Sequence, residues 1–407
     1  MAGMLTRKRL IIALLVLAFA LFLGWRFVRP MNIFVVTDNF ALPVSTAQIP
    51  EPLKTLSAQE CATCHQEIFD EWSTTIHSQA WTDPYYQVDL AFDGSQQICL
   101  NCHIPLDRQQ ENLVLGFRDQ DRSDPILKPN PDFDSDLQKE GVTCTACHLR
   151  EGKILGTYGG DDSLHPIRKL NSGNEICVGC HVVSGDQWDT FFRFPPCGTV
   201  AEITKGKGES GEMTRAEVAQ LGCVECHMPV VTRPIADGGQ VRATRRHLWR
   251  GGHDPEMVKN GLEIDVKETA PPASGKRKFT LNITNTGAAH YLPTGTPDRH
   301  LVVSMRVLDG AGNVLEEETN TLKRTIMWRP FIIDLWDTRL PRGERRTYDI
   351  EFSTNGNHPP AILEAEVRYF LVDEKRRLRI GYDNKEATNY PVFKRRVNLT
   401  IPNDEKG

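Results

Sequence analysis

Apolar residues run without a charge from Leu10 to Trp25, directly after Arg7, Lys8 and Arg9. As helix, this run spans roughly 24 Å at 1.5 Å per residue, a little short of a ~30 Å hydrocarbon core. Arg26 can snorkel and extend the usable span towards Val28. The pattern predicts a membrane anchor over residues 1–29, with the basic flank in the cytoplasm and the rest of the chain exported. A cleaved signal peptide is the alternative, because Ala18-Phe19-Ala20 forms a small-residue cleavage pattern. The apolar run continues through Leu21-Phe22-Leu23, where a cleaved peptide turns polar, and this favours the anchor. Residues 30–57 carry Pro30, Pro43, Pro50 and Pro52 with no sustained period and read as an extended tether. Gln59–Trp72 reads as one helix, with Ser57 as N-cap and Glu60 at the capping-box position.

After a linker over 256–275, which ends in Pro271-Pro272-Ala-Ser-Gly275, the period changes to two. Phe279/Leu281/Ile283, Leu301/Val303/Met305/Val307, Tyr348/Ile350/Phe352, Leu363/Ala365/Val367/Tyr369/Leu371 and Val397/Leu399/Ile401 each alternate with polar neighbours. Asp309-Gly310 with Gly312-Asn313 marks a hairpin turn. Residues 276–407 are therefore expected to form an antiparallel β-sandwich, serving as scaffold or docking platform.

The chain has 407 residues, enough for two soluble domains with accessories. Hydrophobic content of 40% and charged content of 25% exclude a wholly disordered chain and a polytopic membrane protein. The net charge of −5 leaves no basic excess for nucleic acid. Cysteine is the informative residue: all 11 fall within residues 58–255. Ten of them form five C-x-x-C-H motifs: Cys61/Cys64/His65, Cys99/Cys102/His103, Cys144/Cys147/His148, Cys177/Cys180/His181 and Cys223/Cys226/His227. C-x-x-C-H is the attachment signal of c-type haem. Two cysteines three apart reach the two vinyl groups of a porphyrin, and the adjacent histidine ligates iron. Structural zinc would leave five identical trailing histidines as coincidence, and the spacing does not resemble a disulfide framework. Cys197 is left over and reads as a buried free thiol.

Residues 58–255 therefore read as a pentahaem domain. At about 40 residues per haem it cannot hold five independent cores. Cofactors must form much of its interior, and helices should be short. Trp72, Trp81, Tyr85, Tyr86, Trp188, Phe191, Phe192 and Phe194 are expected to pack against them. Seven further histidines could supply sixth ligands. His77, His165, His247 and His253 lie inside the haem segment, and His290 sits in a Gly- and Pro-flanked loop of the next domain. These five are the candidate distal ligands; His300 and His358 read as structural or exposed. Met213, Met228 and Met257 are weaker axial candidates.

The stretch from Cys61 to Ala80, which contains Trp72 and His77, resembles the opening of the cytochrome c-554 and hydroxylamine-oxidoreductase-like multihaem group. The loop His290-Tyr-Leu-Pro293-Thr294-Gly295 and the segment Asp337–Glu344 resemble the Ig-like tail of related proteins. The resemblance implies that His77 is a distal ligand and that His290 reaches back to a haem. It implies no single activity, because the group holds both carriers and enzymes, and five motifs instead of eight depart from the hydroxylamine oxidoreductases.

The expected function is electron transfer by a single-pass inner-membrane protein with its bulk in the periplasm. It would work between an inner-membrane quinol-oxidising complex and a periplasmic acceptor. Catalysis on a small nitrogen or sulfur compound needs a five-coordinate haem and is the alternative, as is a haem-bearing structural subunit of a respiratory complex. Propionates add to the negative charge, so a partner is expected to dock through a basic surface in a salt-sensitive way.

Overall fold

The computed structural model describes residues 2–28, 42–120, 124–158, 164–181, 198–204, 220–273, 275–331, 333–383 and 386–400. Cys197, Met213, Trp188, Phe191, Phe192 and Phe194 lie outside these residues. Ala2–Val28 forms one helix. Its Arg7–Val28 portion is long and apolar enough to cross a membrane by length and composition, a test that an anchor and a signal sequence both pass.

Residues 29–41 of the expected tether lie outside the described residues. Residues 42–57 pack onto the haem segment instead of running free. Val44 bridges Leu106, and Leu56 is buried with Leu106, Leu137, Ala146 and Leu149. A Pro-rich stretch can carry buried apolar side chains without a period, and that hid this packing.

The expected helix Gln59–Trp72 is two helices, Ala58–Ala62 and Gln66–Ser73. The break falls at the haem motif, where His65 leaves helical geometry at φ −118° and ψ 44°. Ser57 caps as expected, accepting from Gln59 N. Glu60 does not close a capping box; its carboxylate accepts from Lys54 N and the Thr55 hydroxyl. Glu140, from a distant turn, takes the Ser57 hydroxyl and Ala58 N instead.

The remaining helices of this segment are short, as the sparse apolar core requires. Four motifs occupy helical turns at Gln97–His103, Cys144–His148, Asn174–His181 and Cys223–His227. A two-stranded ribbon, Val230–Pro234 with Val241–Arg245, follows the last motif.

The expected linker 256–275 is structured: Pro255–Asn260 is helical and Leu262–Ala273 is a strand, β1. Its alternation is broken by charged and proline residues, and pairing with the next strand overrides that weak pattern. Lys276–Asn285 (β2), His300–Asp309 (β3), Val314–Leu322 (β4), Arg345–Ser353 (β5), Pro360–Phe370 (β6) and Asn389–Asn398 (β7) follow. They form two antiparallel sheets, ordered β5-β2-β1 and β4-β3-β6-β7. The alternating residues of β2, β3 and β6 point into one shared core, where Leu281, Ile283, Leu301, Val307, Leu363 and Val367 are fully buried. The β3–β4 turn sits where expected. The Asp309 carboxylate accepts from Ala311 N and Asn313 N, and Gly312 takes the left-handed φ of +89° that the turn demands. A smaller hairpin, Arg324–Met327 with Ile333–Asp337, projects between β4 and β5. Its buried Arg324 is clamped by both oxygens of Asp334, at 2.8 and 3.0 Å.

Candidate haem-binding site

One continuous cavity of about 2850 Å³ is lined by residues from Val28 to Thr388. Ordinary ligand pockets hold about 300–1,000 Å³, so a single small ligand does not explain it. All ten motif cysteines and all five motif histidines line it, with His77, His165, His247, His253 and His290.

The histidines face one another in pairs. Ring centres are 6.5 Å apart for His65 and His165, 6.3 Å for His181 and His77, 6.1 Å for His148 and His247, and 6.3 Å for His227 and His290. A metal–imidazole bond is about 2 Å, and the ring centre lies about 1 Å beyond its nitrogen. Two imidazoles on opposite sides of one iron therefore stand roughly 6 Å apart. Each of the four pairs joins one motif histidine to one outside the motifs. Among the described residues no such pair includes His103 or His253. The Tyr86 ring lies parallel against His103, with centres 3.5 Å apart.

The rings are held so that one nitrogen stays free. Nδ1 of His65, His103, His148 and His227 lies 2.6–2.7 Å from the carbonyls of Ile235, Ala80, Leu155 and Arg250. His247 and His290 do the same with Arg245 O at 3.0 Å and Tyr291 O at 2.9 Å. A carbonyl only accepts, so Nδ1 carries the proton and Nε2 keeps the lone pair that iron needs. Burial also opposes protonation, pulling His77, His247 and His253 down to about 4.

The comparisons follow this geometry. Residues 60–124 match the family described as Cytochrome c554 and c-prime. A penta-haem cytochrome c552 from Thermochromatium tepidum is similar in fold, with a TM-score of 0.60. That alignment covers 84% of this chain and 98% of that one, at 20% identity. Residues 60–124 thus resemble a multihaem cytochrome c family, and the fold resembles that of a penta-haem cytochrome. No curated protein matches it. Two partial likenesses carry no argument: ApaA of Bordetella pertussis (TM-score 0.16, 16% identity, 33% of this chain and 89% of that one) and Bacteroides uniformis β-glucuronidase (TM-score 0.15, 12% identity, 28% and 11%).

The histidines outside the motifs are braced by residues that no motif marks. Trp249 stands edge-on between two of them, 5.1 Å from His77 and 5.2 Å from His247, and holds a left-handed φ of +40°. That conformation costs on the order of 1–3 kcal/mol outside glycine and persists only where the surroundings fix it. Trp249→Ala is expected to disturb two haems together, seen as two altered low-spin signals in electron paramagnetic resonance. A change in one signal only would show that the contact is incidental.

Glu71 is buried beneath His247. Its carboxylate takes both arms of Arg233 at 2.7 and 2.8 Å, Arg246 Nε at 2.9 Å and His247 N at 2.8 Å. Burial alone would raise the Glu71 carboxyl, but these donors outweigh it and hold it below the usual range. Glu202, on Thr199–Thr204, accepts from Tyr291 N and the Thr294 hydroxyl, and Arg339 pairs with it at 2.5 Å. Arg339 is itself held by Asp337 at 2.7 Å. This clamp joins the haem segment to the loop that carries His290.

The other histidines are placed as read: His300 stacks on Phe370 with Nδ1 on Asp298 O, and His358 is exposed 3.6 Å from Asp309. Met228 and Met257 line the cavity. Near the second motif, Tyr85 donates to Asp298 at 3.2 Å. Burial pushes Asp298 up to about 6, against the pull of Arg376. The folded state thus keeps a proton that the unfolded chain loses near pH 4. Stability should therefore fall by roughly 2–3 kcal/mol as pH rises from about 4 to above 6. Asp298→Asn should remove that slope, read from urea midpoints at pH 4.5 and 7.

Proposed function

We propose that the chain is a membrane-anchored, periplasmic pentahaem cytochrome that passes electrons between an inner-membrane quinol-oxidising complex and a periplasmic acceptor. The observation that carries this reading is the set of four facing histidine pairs inside one cavity lined by five C-x-x-C-H motifs. Cys61/Cys64, Cys99/Cys102, Cys144/Cys147, Cys177/Cys180 and Cys223/Cys226 would hold the porphyrins. His65, His103, His148, His181 and His227 would ligate iron proximally. His165, His247, His77 and His290 would close the sites of His65, His148, His181 and His227. Bound c-type haem supplies one-electron transfer, and the chain sets its ligation, burial and spacing.

The motifs also touch one another. Cys61 lies beside Cys144, Cys102 beside Cys180, and Cys177 beside Cys223. These contacts support a spatial order of first, third and fourth motif, with the second and fifth both beside the fourth; the neighbouring charges of Cys147 and Cys180 supply the link from third to fourth. The β-domain fits an Ig-like reading, because three and four strands in the orders β5-β2-β1 and β4-β3-β6-β7 enclose one core. Its contribution of His290 makes it part of the redox unit. With side chains at −5 and propionates adding to that, a basic partner surface completes the reading.

A second reading has its own observation: among the described residues His103 faces no histidine, and Tyr86 stacks on its ring. An open iron there would support reaction with a small nitrogen or sulfur compound. Low-temperature electron paramagnetic resonance with haem quantified on the same sample tests both readings. At least four low-spin haems are expected. Fewer would overturn the pairing. A stoichiometric high-spin signal that shifts with nitrite or hydroxylamine would make catalysis the leading function.

A further inference from the structure

The small hairpin between β4 and β5 leaves three large apolar residues exposed. Trp328, Leu335 and Trp336 are 43%, 47% and 58% exposed. Scattered surface apolar residues need no explanation, but two tryptophans and a leucine on one short hairpin do. The hairpin is not placed at random. Phe331 at its tip packs on Phe22 with ring centres 6.2 Å apart, and the Arg26 guanidinium lies 5.4 Å from both the Phe331 and Trp25 rings. Arg329 donates to the carbonyl of Phe27. The hairpin thus grips the last turns of the apolar helix.

That position fixes its surroundings. If Arg7–Val28 spans a bilayer, residues 22–28 lie at its outer boundary, where tryptophan is favoured because its ring is apolar and its N–H is not. Any element packed on those turns lies at the same depth. We infer that the hairpin Arg324–Asp337 is a second membrane contact, laying Trp328, Leu335 and Trp336 into the interfacial layer of the bilayer beside the anchor. The inference rests on the anchor reading above. It gives these exposed residues an apolar partner, and it orients the cytochrome. Val28, Trp328 and Arg329 also line the haem cavity, so one mouth of that cavity is held against the membrane surface. A helix on a free tether would leave the haems at no fixed height. A helix gripped by a hairpin that is itself seated in lipid holds them at one height and one tilt.

The test uses the full-length haem-loaded protein in nanodiscs of phosphatidylcholine with a diazirine in the acyl chain. After irradiation and digestion, lipid adducts are mapped by mass spectrometry. Adducts are expected on residues 10–25 and, at comparable yield, on peptides holding Trp328 and Leu335-Trp336. The acidic stretch Glu316–Glu318 of β4 should carry none. The double variant L335S/W336S, with its haem spectrum unchanged, should lose the adducts on the Leu335-Trp336 peptide and keep those on residues 10–25. Adducts confined to residues 10–25 in the parent protein would overturn the inference and leave the anchor reading intact. A mature chain whose mass lacks residues 10–25 would overturn both.

Discussion

Glu71→Ala is expected to cost about 3 kcal/mol, because it leaves the buried Arg233 with only the exposed Glu67, 3.5 Å away, as counter-charge. The loss should be read from urea unfolding followed through the Soret band. It should also reach the chemistry, since Glu71 accepts from the backbone N–H of His247. Without that acceptor the segment Arg246–Trp249 loses its fixed end, and His247 no longer stands opposite His148. The expected signature is one low-spin haem turning high-spin while the others keep their signals. Glu71→Gln keeps an acceptor but not the charge, and should fall between the two in stability with ligation retained. An Ala variant that is as stable as the parent and spectroscopically silent would mean that the carboxylate is a passive filler.

Arg339→Met is expected to act at a different histidine pair. Arg339 and Glu202 are both almost completely buried, and the pair holds the loop His290–Thr294 against the haem segment. Removing the cation leaves Glu202 buried and unpaired, with a cost of about 3–5 kcal/mol. Glu202→Gln in the same background should recover part of that loss by removing the stranded charge. The site of His227 should be the one that changes, with a shifted midpoint potential in a spectroelectrochemical titration. If instead the change appears at the His148 or His181 sites, the clamp does not act through His290.

How much of this was legible beforehand follows from how far each signal reaches along the chain. The five motifs are local, five residues each, and their chemistry is fixed by spacing alone. The strands of the β-domain are nearly as local, because a period of two needs only a handful of residues. The candidate distal ligands could be named as a set, and four of the five have a partner. Which histidine meets which motif could not be read. His65 pairs with His165 and not with the nearer His77, and His77 pairs with His181; sequence distance says nothing about this. Glu71, Arg233, Glu202 and Arg339 were invisible for the same reason. Each is an ordinary charged residue until the fold sets it against a partner more than a hundred residues away. The misread linker and tether share a cause: proline and charge interrupt a pattern without preventing the segment from burying what apolar residues it has. His253 remains in the cavity without a motif histidine opposite it.

The pairing has a consequence for the order in which the chain can come apart. On the proposed ligation, each iron ties two distant points of the backbone, closing loops of about 60 to about 100 residues, much as a disulfide would. The loops from His65 to His165, His77 to His181, His148 to His247 and His227 to His290 overlap successively, so no stretch between His65 and His290 is outside a ring. By the chain-entropy estimate each such closure takes about 4 kcal/mol or more from the unfolded state. These rings differ from disulfides in one respect: an iron–imidazole bond can be opened by a competing small ligand while the thioethers stay. The protein is then a row of links that strong-field ligands could loosen one at a time, and its mechanical integrity would follow the coordination state of its metals.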